Sequence, residues 1–118
     1  MVLATREDHI VPWRSAYAST RLLAGRIEFV LGASGHIAGI VNPPDANRRE
    51  FWINASLPDA ADKWLAQARR VPGSWWPHWM QWLKRWSGPS AGAPQMLGNA
   101  QYPPLGLAPG NYVREPAQ

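Results

Sequence analysis

Two side chains 28 positions apart, Asp8 and His36, are of the types that move protons together. His36 stands among glycines in Gly32-Ala33-Ser34-Gly35-His36-Ile37-Ala38-Gly39, directly after the apolar run Ile27-Glu28-Phe29-Val30-Leu31. A histidine delivered at a strand end, in a loop too small to crowd it, is placed for acid–base work. Asp8 lies in the earlier stretch Arg6-Glu7-Asp8-His9. A carboxylate beside an imidazole holds one tautomer and supports the imidazolium, so the two supply the acid and base of a nucleophile–His–Asp triad. The same residues also suit a bland reading, in which His36 caps turn backbone and the two loops are merely polar.

The elements around these residues must bring them together. Val2-Leu3-Ala4 reads as half a strand, cut off at Met1. A polar loop follows from Thr5 to His9, closed by Ile10-Val11-Pro12. Trp13, Tyr17, Thr20 and Leu23 recur at helical spacing, with Gly25 as the stop. Arg26 to Leu31 is the clearest strand. Strand, acid loop, helix, strand, histidine loop makes a right-handed βαβ unit with both polar loops at the carboxyl edge of the strands. The order acid then histidine is that of the α/β-hydrolase fold, where the nucleophile comes still earlier. The expected class is therefore α/β; the order leaves open a C-terminal piece of that fold or an ordinary βαβ fragment with two polar loops, followed by helices and an extended tail.

Three parts are expected. Residues 1–44 hold the acid and base loops, 45–86 are appended helices, and 87–118 are a Gly/Pro-rich linker and tail. In the middle part Phe51-Trp52-Ile53 is a short apolar anchor. A helix is predicted from Asp59 to Arg70, ended by Pro72-Gly73. The next helix, capped by Ser74, puts Trp75, Trp79, Trp82 and Trp86 on one face. That face is either core or an amphipathic contact with an apolar polymer, lipid layer or partner helix.

Other features carry less. Gly88-Pro89-Ser90-Ala91-Gly92 matches a nucleophile-elbow pattern, but no strand precedes it and it follows the histidine. His9 reads as a channel or supporting residue. His78 reads as exposed polar filler, and three scattered histidines make no metal site. With no cysteine, the chain offers neither a disulfide framework nor a thiolate nucleophile. Twelve Lys and Arg against eight Asp and Glu are scattered in pairs at most, which argues against nucleic-acid binding. No apolar run approaches the ~20 residues of a membrane span, and the first residues are too short for a signal peptide, so cytoplasm is the expected compartment. Asn54-Ala55-Ser56 fits a glycosylation pattern but has no meaning there.

Longer matches point to a family. Arg6-Glu7-Asp8-His9-Ile10-Val11-Pro12-Trp13, the run Phe29 to Pro44 containing Ser34-Gly35-His36-Ile37-Ala38-Gly39, Gly73-Ser74-Trp75-Trp76-Pro77 and Tyr112-Val113 together resemble the C-terminal end of a class I polyhydroxyalkanoate synthase. The resemblance implies an α/β-hydrolase domain that polymerises (R)-3-hydroxyacyl-CoA, typically 3-hydroxybutyryl-CoA, into polyester with release of CoA, and it implies no cofactor. It implies a cysteine nucleophile, with His36 as the base that activates it. Asp8 would orient His36 or help activate the substrate's 3-hydroxyl; the motif leaves both open. It further implies a homodimer at the polyester granule surface. Since this chain has no cysteine, the expectation is an inactive C-terminal fragment, prone to aggregate through an unpaired sheet edge. A non-catalytic granule-binding module built on the Trp helix and a remnant of a generic serine hydrolase are the competing readings.

Overall fold

The computed structural model describes residues 1–116. It divides into two compact units, Met1–Gly88 and Pro89–Gln118. The first unit is built on one four-stranded sheet: β1 Val2–Thr5, β2 Phe29–Gly32, β3 Glu50–Ile53 and β4 Arg69–Pro72, in that spatial order. β1 and β2 are parallel, as the βαβ reading requires, and β3 and β4 continue antiparallel. Three helices accompany it: α1 Trp13–Ala18, α2 Ala61–Gln67 and α3 Trp76–Lys84. The mixed α/β class is as expected.

Strand alternation sends successive side chains to opposite faces, and both faces here are covered. On one, Phe29 and Leu31 join Ala4, Trp52, Trp13, Tyr17 and Trp64 beneath α1 and α2. On the other, Val30 and Phe51 meet Trp75, with Leu3, Ile53, Val71 and Trp76 around them. This explains why every residue of β2 is buried. The first core is largely aromatic. Phe29 stands edge-on to Tyr17 at 5.0 Å and to Trp64 at 4.9 Å between ring centroids. α1 is further tied down by Tyr17 Oη, which donates to Pro58 O at 2.6 Å, and by the Arg14–Asp62 ion pair between α1 and α2. The ion pair is exposed and screened by solvent, so it contributes little; the aromatic burial dominates.

Two sequence-based expectations are corrected and one open reading is narrowed. The first helix stops at Ala18 and passes through a 3₁₀ turn at Ser19–Arg21, rather than running to Leu23. Beyond Tyr17 it has nothing to bury: Leu22 and Leu23 are exposed, and the Thr20 hydroxyl donates to Tyr17 O at 2.7 Å. The second helix ends at Gln67, and Arg69–Pro72 is a strand. Local pattern lost here to an available sheet edge, because β3 offers backbone groups for Arg69–Pro72 to pair with and Glu50 takes the Arg70 guanidinium. The segment after residue 44 therefore contributes two strands to the same sheet as the acid and histidine loops. Lastly, the Trp face is core only at its start. Trp75 is buried, whereas Trp79 and Trp86 are exposed and no residue within α3 is buried.

The described part of the second unit, residues 89–116, is irregular, with a 3₁₀ turn at Tyr112–Arg114 and a turn in which Asn99 Oδ1 accepts the Gln101 and Tyr102 N–H groups. The last two residues of the expected tail lie outside the described residues. Among the described residues no helix is long and apolar enough to cross a membrane.

Trp64 makes the first core testable. It is fully buried, yet among the described residues its indole Nε1 finds no hydrogen-bond partner. Trp64→Ala is expected to cost about 3–5 kcal/mol in urea unfolding. Trp64→Phe is expected to cost clearly less, because it keeps an aromatic filler and removes an orphan donor whose burial costs roughly 1–3 kcal/mol. Equal losses in the two variants would contradict this account of the core.

Candidate active site

The parallel pairing of β1 with β2 does not stop where the strands end. Arg6 N donates to Gly32 O at 2.8 Å and Glu7 N to Ser34 O at 3.0 Å, so the two loops leave the sheet side by side. Asp8 and His36 are thereby brought together. The Asp8 Oδ2 to His36 Nδ1 distance is 2.8 Å.

Asp8 is held as an ion. Its Oδ1 accepts the Ile10 and Val11 N–H groups, both at 2.9 Å, and its Oδ2 also accepts from the Thr5 hydroxyl at 3.3 Å. The Asp8 side chain is 8% exposed and that of His36 45%. The Val11 N–H bond above all, with those from His36 and Ile10 and the His36 charge, holds the carboxyl well below the usual carboxylate range against a partial burial that works the other way. An ionised carboxylate accepts only, so Nδ1 carries the hydrogen and Nε2 of the neutral ring keeps its lone pair. Among the described residues Nε2 has no partner. That is the arrangement of a general base.

The loop glycines differ in what they must do. A Cβ on Gly39 would come within 2.3 Å of Thr5 Cγ2 and 2.6 Å of Ala33 O, so only glycine lets the loop close over Thr5. Ser34 carries the positive φ, 73°, that turns the chain out of β2. Asp8 and His36 share a hollow of about 170 Å³ with Leu3, Thr5, Val11 and Ile40, beside β1 at the sheet's edge. A larger hollow of about 420 Å³, lined by Arg26, Glu28, Arg69 and Arg85 among others, opens at the opposite end of β2 and does not touch the pair.

The other residues singled out in the sequence stay apart from it. His9 is exposed in the acid loop and makes no bond to the pair. Ser90 lies in an irregular segment with no strand before it. His78 is not exposed filler: its Nε2 lies 2.5 Å from Glu28 Oε1, with both side chains largely buried, so it fastens α3 to the start of β2. Three contributors escaped the sequence reading. Thr5 is wholly buried against Asp8, and the indoles of Trp75 and Trp76 donate to the backbone of the histidine loop. The signal for the indoles was a pair of N–H donors, Trp75 and Trp76, just after the Pro72-Gly73 break. Nothing in the sequence said where they point.

No family model matches the chain. Curated relatives do. The chain is 53% identical over 116 residues to the poly(3-hydroxyalkanoate) polymerase subunit PhaC of Cupriavidus necator, covering 98% of this chain and 20% of that protein. It is 45% identical over 113 residues to the protein of the same name from Rhizobium etli, covering 96% of this chain and 18% of the relative. It is 47% identical over 111 residues to poly(3-hydroxyalkanoate) polymerase 2 of Ectopseudomonas oleovorans, covering 94% and 20%. Over its length the chain belongs to the polyhydroxyalkanoate synthase family. It spans about a fifth of the length of these synthases. The family resemblance read from the motifs is thus borne out.

The Asp8 environment sets a pH dependence for this synthase segment. A carboxyl lowered on folding contributes stability that is complete above its unfolded value near 3.8 and is lost as pH falls below it. The stability difference between the native chain and Asp8→Asn is therefore expected to be constant from neutral pH to about 4, then to close in more acid solution. Denaturant unfolding across pH 2–7 measures it, and a gap that persisted undiminished into strong acid would contradict the assignment.

Proposed function

We propose that the chain is the C-terminal segment of a class I polyhydroxyalkanoate synthase on an α/β-hydrolase fold, in which His36 is the catalytic base and Asp8 its acidic partner. The observation that carries the reading is the 2.8 Å Asp8–His36 pair at the carboxyl ends of two parallel strands, in a chain of this family. The substrate is an (R)-3-hydroxyacyl-CoA, typically 3-hydroxybutyryl-CoA. His36 Nε2 takes the proton of a cysteine thiol, and the thiolate attacks the thioester carbonyl. The C–S bond to CoA breaks, and the imidazolium returns its proton to the departing CoA thiolate. A 3-hydroxyl then gives its proton to His36 Nε2 and attacks the acyl-cysteine carbonyl. The C–S bond to the cysteine breaks, the imidazolium returns the proton to the departing cysteine thiolate, and the polyester is longer by one unit. Asp8 keeps the imidazole in the Nδ1–H tautomer through both half-reactions and supports its charge; Asp8 aiding the 3-hydroxyl directly is the alternative role.

This chain has no cysteine, so the nucleophile belongs to a part of the synthase outside this sequence. The two loops present exposed Ile10, Val11, Ile37 and Ile40 around the pair, an apolar mouth suited to an aliphatic acyl chain and to contact with the rest of the synthase. The working enzyme is a homodimer at the granule surface in the cytoplasm. The purified 118-residue chain is expected to release no CoA from 3-hydroxybutyryl-CoA. The complete synthase containing this segment is expected to lose about 10²–10⁴-fold in rate on His36→Gln, as removal of a general base does. A His36→Gln synthase that kept its activity would overturn the assignment.

A second reading rests on the exposed end of the Trp helix. Trp79, Met80 and Trp86 are exposed, and the Trp82 and Trp86 rings lie 6.3 Å apart. As a granule-binding surface they would hold the chain on polyester granules when Asp8 and His36 are both changed to Ala. If neither that variant nor the native chain sediments with granules, this reading fails.

A further inference from the structure

The histidine loop is gripped by three consecutive residues. Ser74 Oγ donates to Asn42 O at 2.5 Å. Trp75 Nε1 donates to Gly39 O and to Ile40 O, both at 3.2 Å, and Trp76 Nε1 donates to Ile40 O at 2.9 Å. All these bonds land on Gly39–Asn42, which begins three residues after His36. Ser74 and Trp75 are each only 8% exposed, so the donors are largely shielded from competing water.

The grip reaches the imidazole through a stiff turn. Gly39 N donates to Gly35 O and Val41 N to Ile37 O, both at 2.8 Å, closing one helical turn across His36. The inner wall of that turn is Gly39, which rests against the Thr5 side chain, and Thr5 in turn donates to Asp8. Fixing Gly39 and Ile40 therefore fixes both partners of the pair. If burial of apolar surface were the only role, an indole would need no aim; here both N–H groups converge on one carbonyl. Gly73 precedes the three donors at φ +89°, a backbone conformation that residues with a Cβ rarely adopt.

We propose that Ser74, Trp75 and Trp76 are positioning residues, a clamp that holds the His36 ring against Asp8 in the single tautomer with Nε2 free. The catalytic consequence rests on His36 being the synthase base; the geometric one does not. A displacement of about 1 Å at a reacting group costs up to ~10²-fold in rate, so a loosened loop is expected to lower kcat roughly 10-fold with little change in KM.

The test deletes the N–H donors and keeps aromatic bulk. In the 118-residue chain, long-range ¹H–¹⁵N correlation of the His36 ring is expected to show one Nδ1–H tautomer, and Trp75→Phe/Trp76→Phe to show a mixture of both. Trp86→Phe, on an exposed ring at the far end of the same segment, is expected to leave the single tautomer intact. Should the double variant not fold, Trp76→Phe alone serves, since Trp76 is only partly buried yet donates directly to Ile40 O. A lower melting temperature with the native tautomer unchanged would overturn the clamp and leave these residues a purely structural role. In the complete synthase the double variant is expected to lower kcat and not KM. Loss of the tautomer with His36→Gln still active would uphold the clamp and sink the base assignment, so the two failures are distinguishable.

Discussion

The backbone ladder between β1 and β2 is the constraint on which the rest depends. Parallel strands advance in the same direction, so the loops that follow them leave from the same edge. Here the ladder continues for two further bonds, from Arg6 and Glu7 to Gly32 and Ser34. Without that continuation, an aspartate and a histidine 28 positions apart would have no fixed separation. With it, the carboxylate meets Nδ1 at hydrogen-bond distance, and the remaining carboxylate valences are filled by Ile10, Val11 and Thr5. Those bonds keep Asp8 ionised, and an ionised Asp8 selects the tautomer of His36.

Such a ladder is only as firm as the sheet that carries it. β2 is covered on both faces, by aromatic residues of α1 and α2 on one side and by Trp75 on the other. The second cover does two things at once. Trp75 fills space above Val30 and Phe51, and its N–H reaches the histidine loop. His78, bound to Glu28, fastens the same helix to the far end of β2. A segment that looks appended in the sequence is thus part of what holds the site. This leaves Asp8 and His36 fixed at the rim of the sheet, beside an apolar mouth.

Much of this was legible in the residues. The Ile27–Leu31 run, the glycines around His36 and the helical spacing of Trp13 and Tyr17 marked the βαβ unit, because strand and helix periodicities are local properties of the chain. Topology brought Asp8 and His36 to the same edge and left open whether they meet or the two loops are merely polar. Helix ends were less legible. Leu22 and Leu23 matched a helical pattern but found no core, and Arg69–Pro72 left its helical pattern because β3 presented an unpaired edge. Periodicity records which residues can share a face; it does not record whether another element is there to receive them.

The sequence by itself determined the family, the α/β class and which two side chains share a sheet edge, since these rest on motif runs and on the order of elements. Only the tertiary structure decided that β3 and β4 join the sheet, that His78 is an anchor, and that Trp75 and Trp76 turn their N–H groups onto Gly39 and Ile40. The physical reason is that these are contacts between distant segments. Directed hydrogen bonds from an indole depend on where the backbone carbonyls come to rest, and no local pattern encodes that. The histidine loop shows both halves: its glycines announce a close approach, and the fold supplies the Thr5 side chain and the two indoles between which it is held.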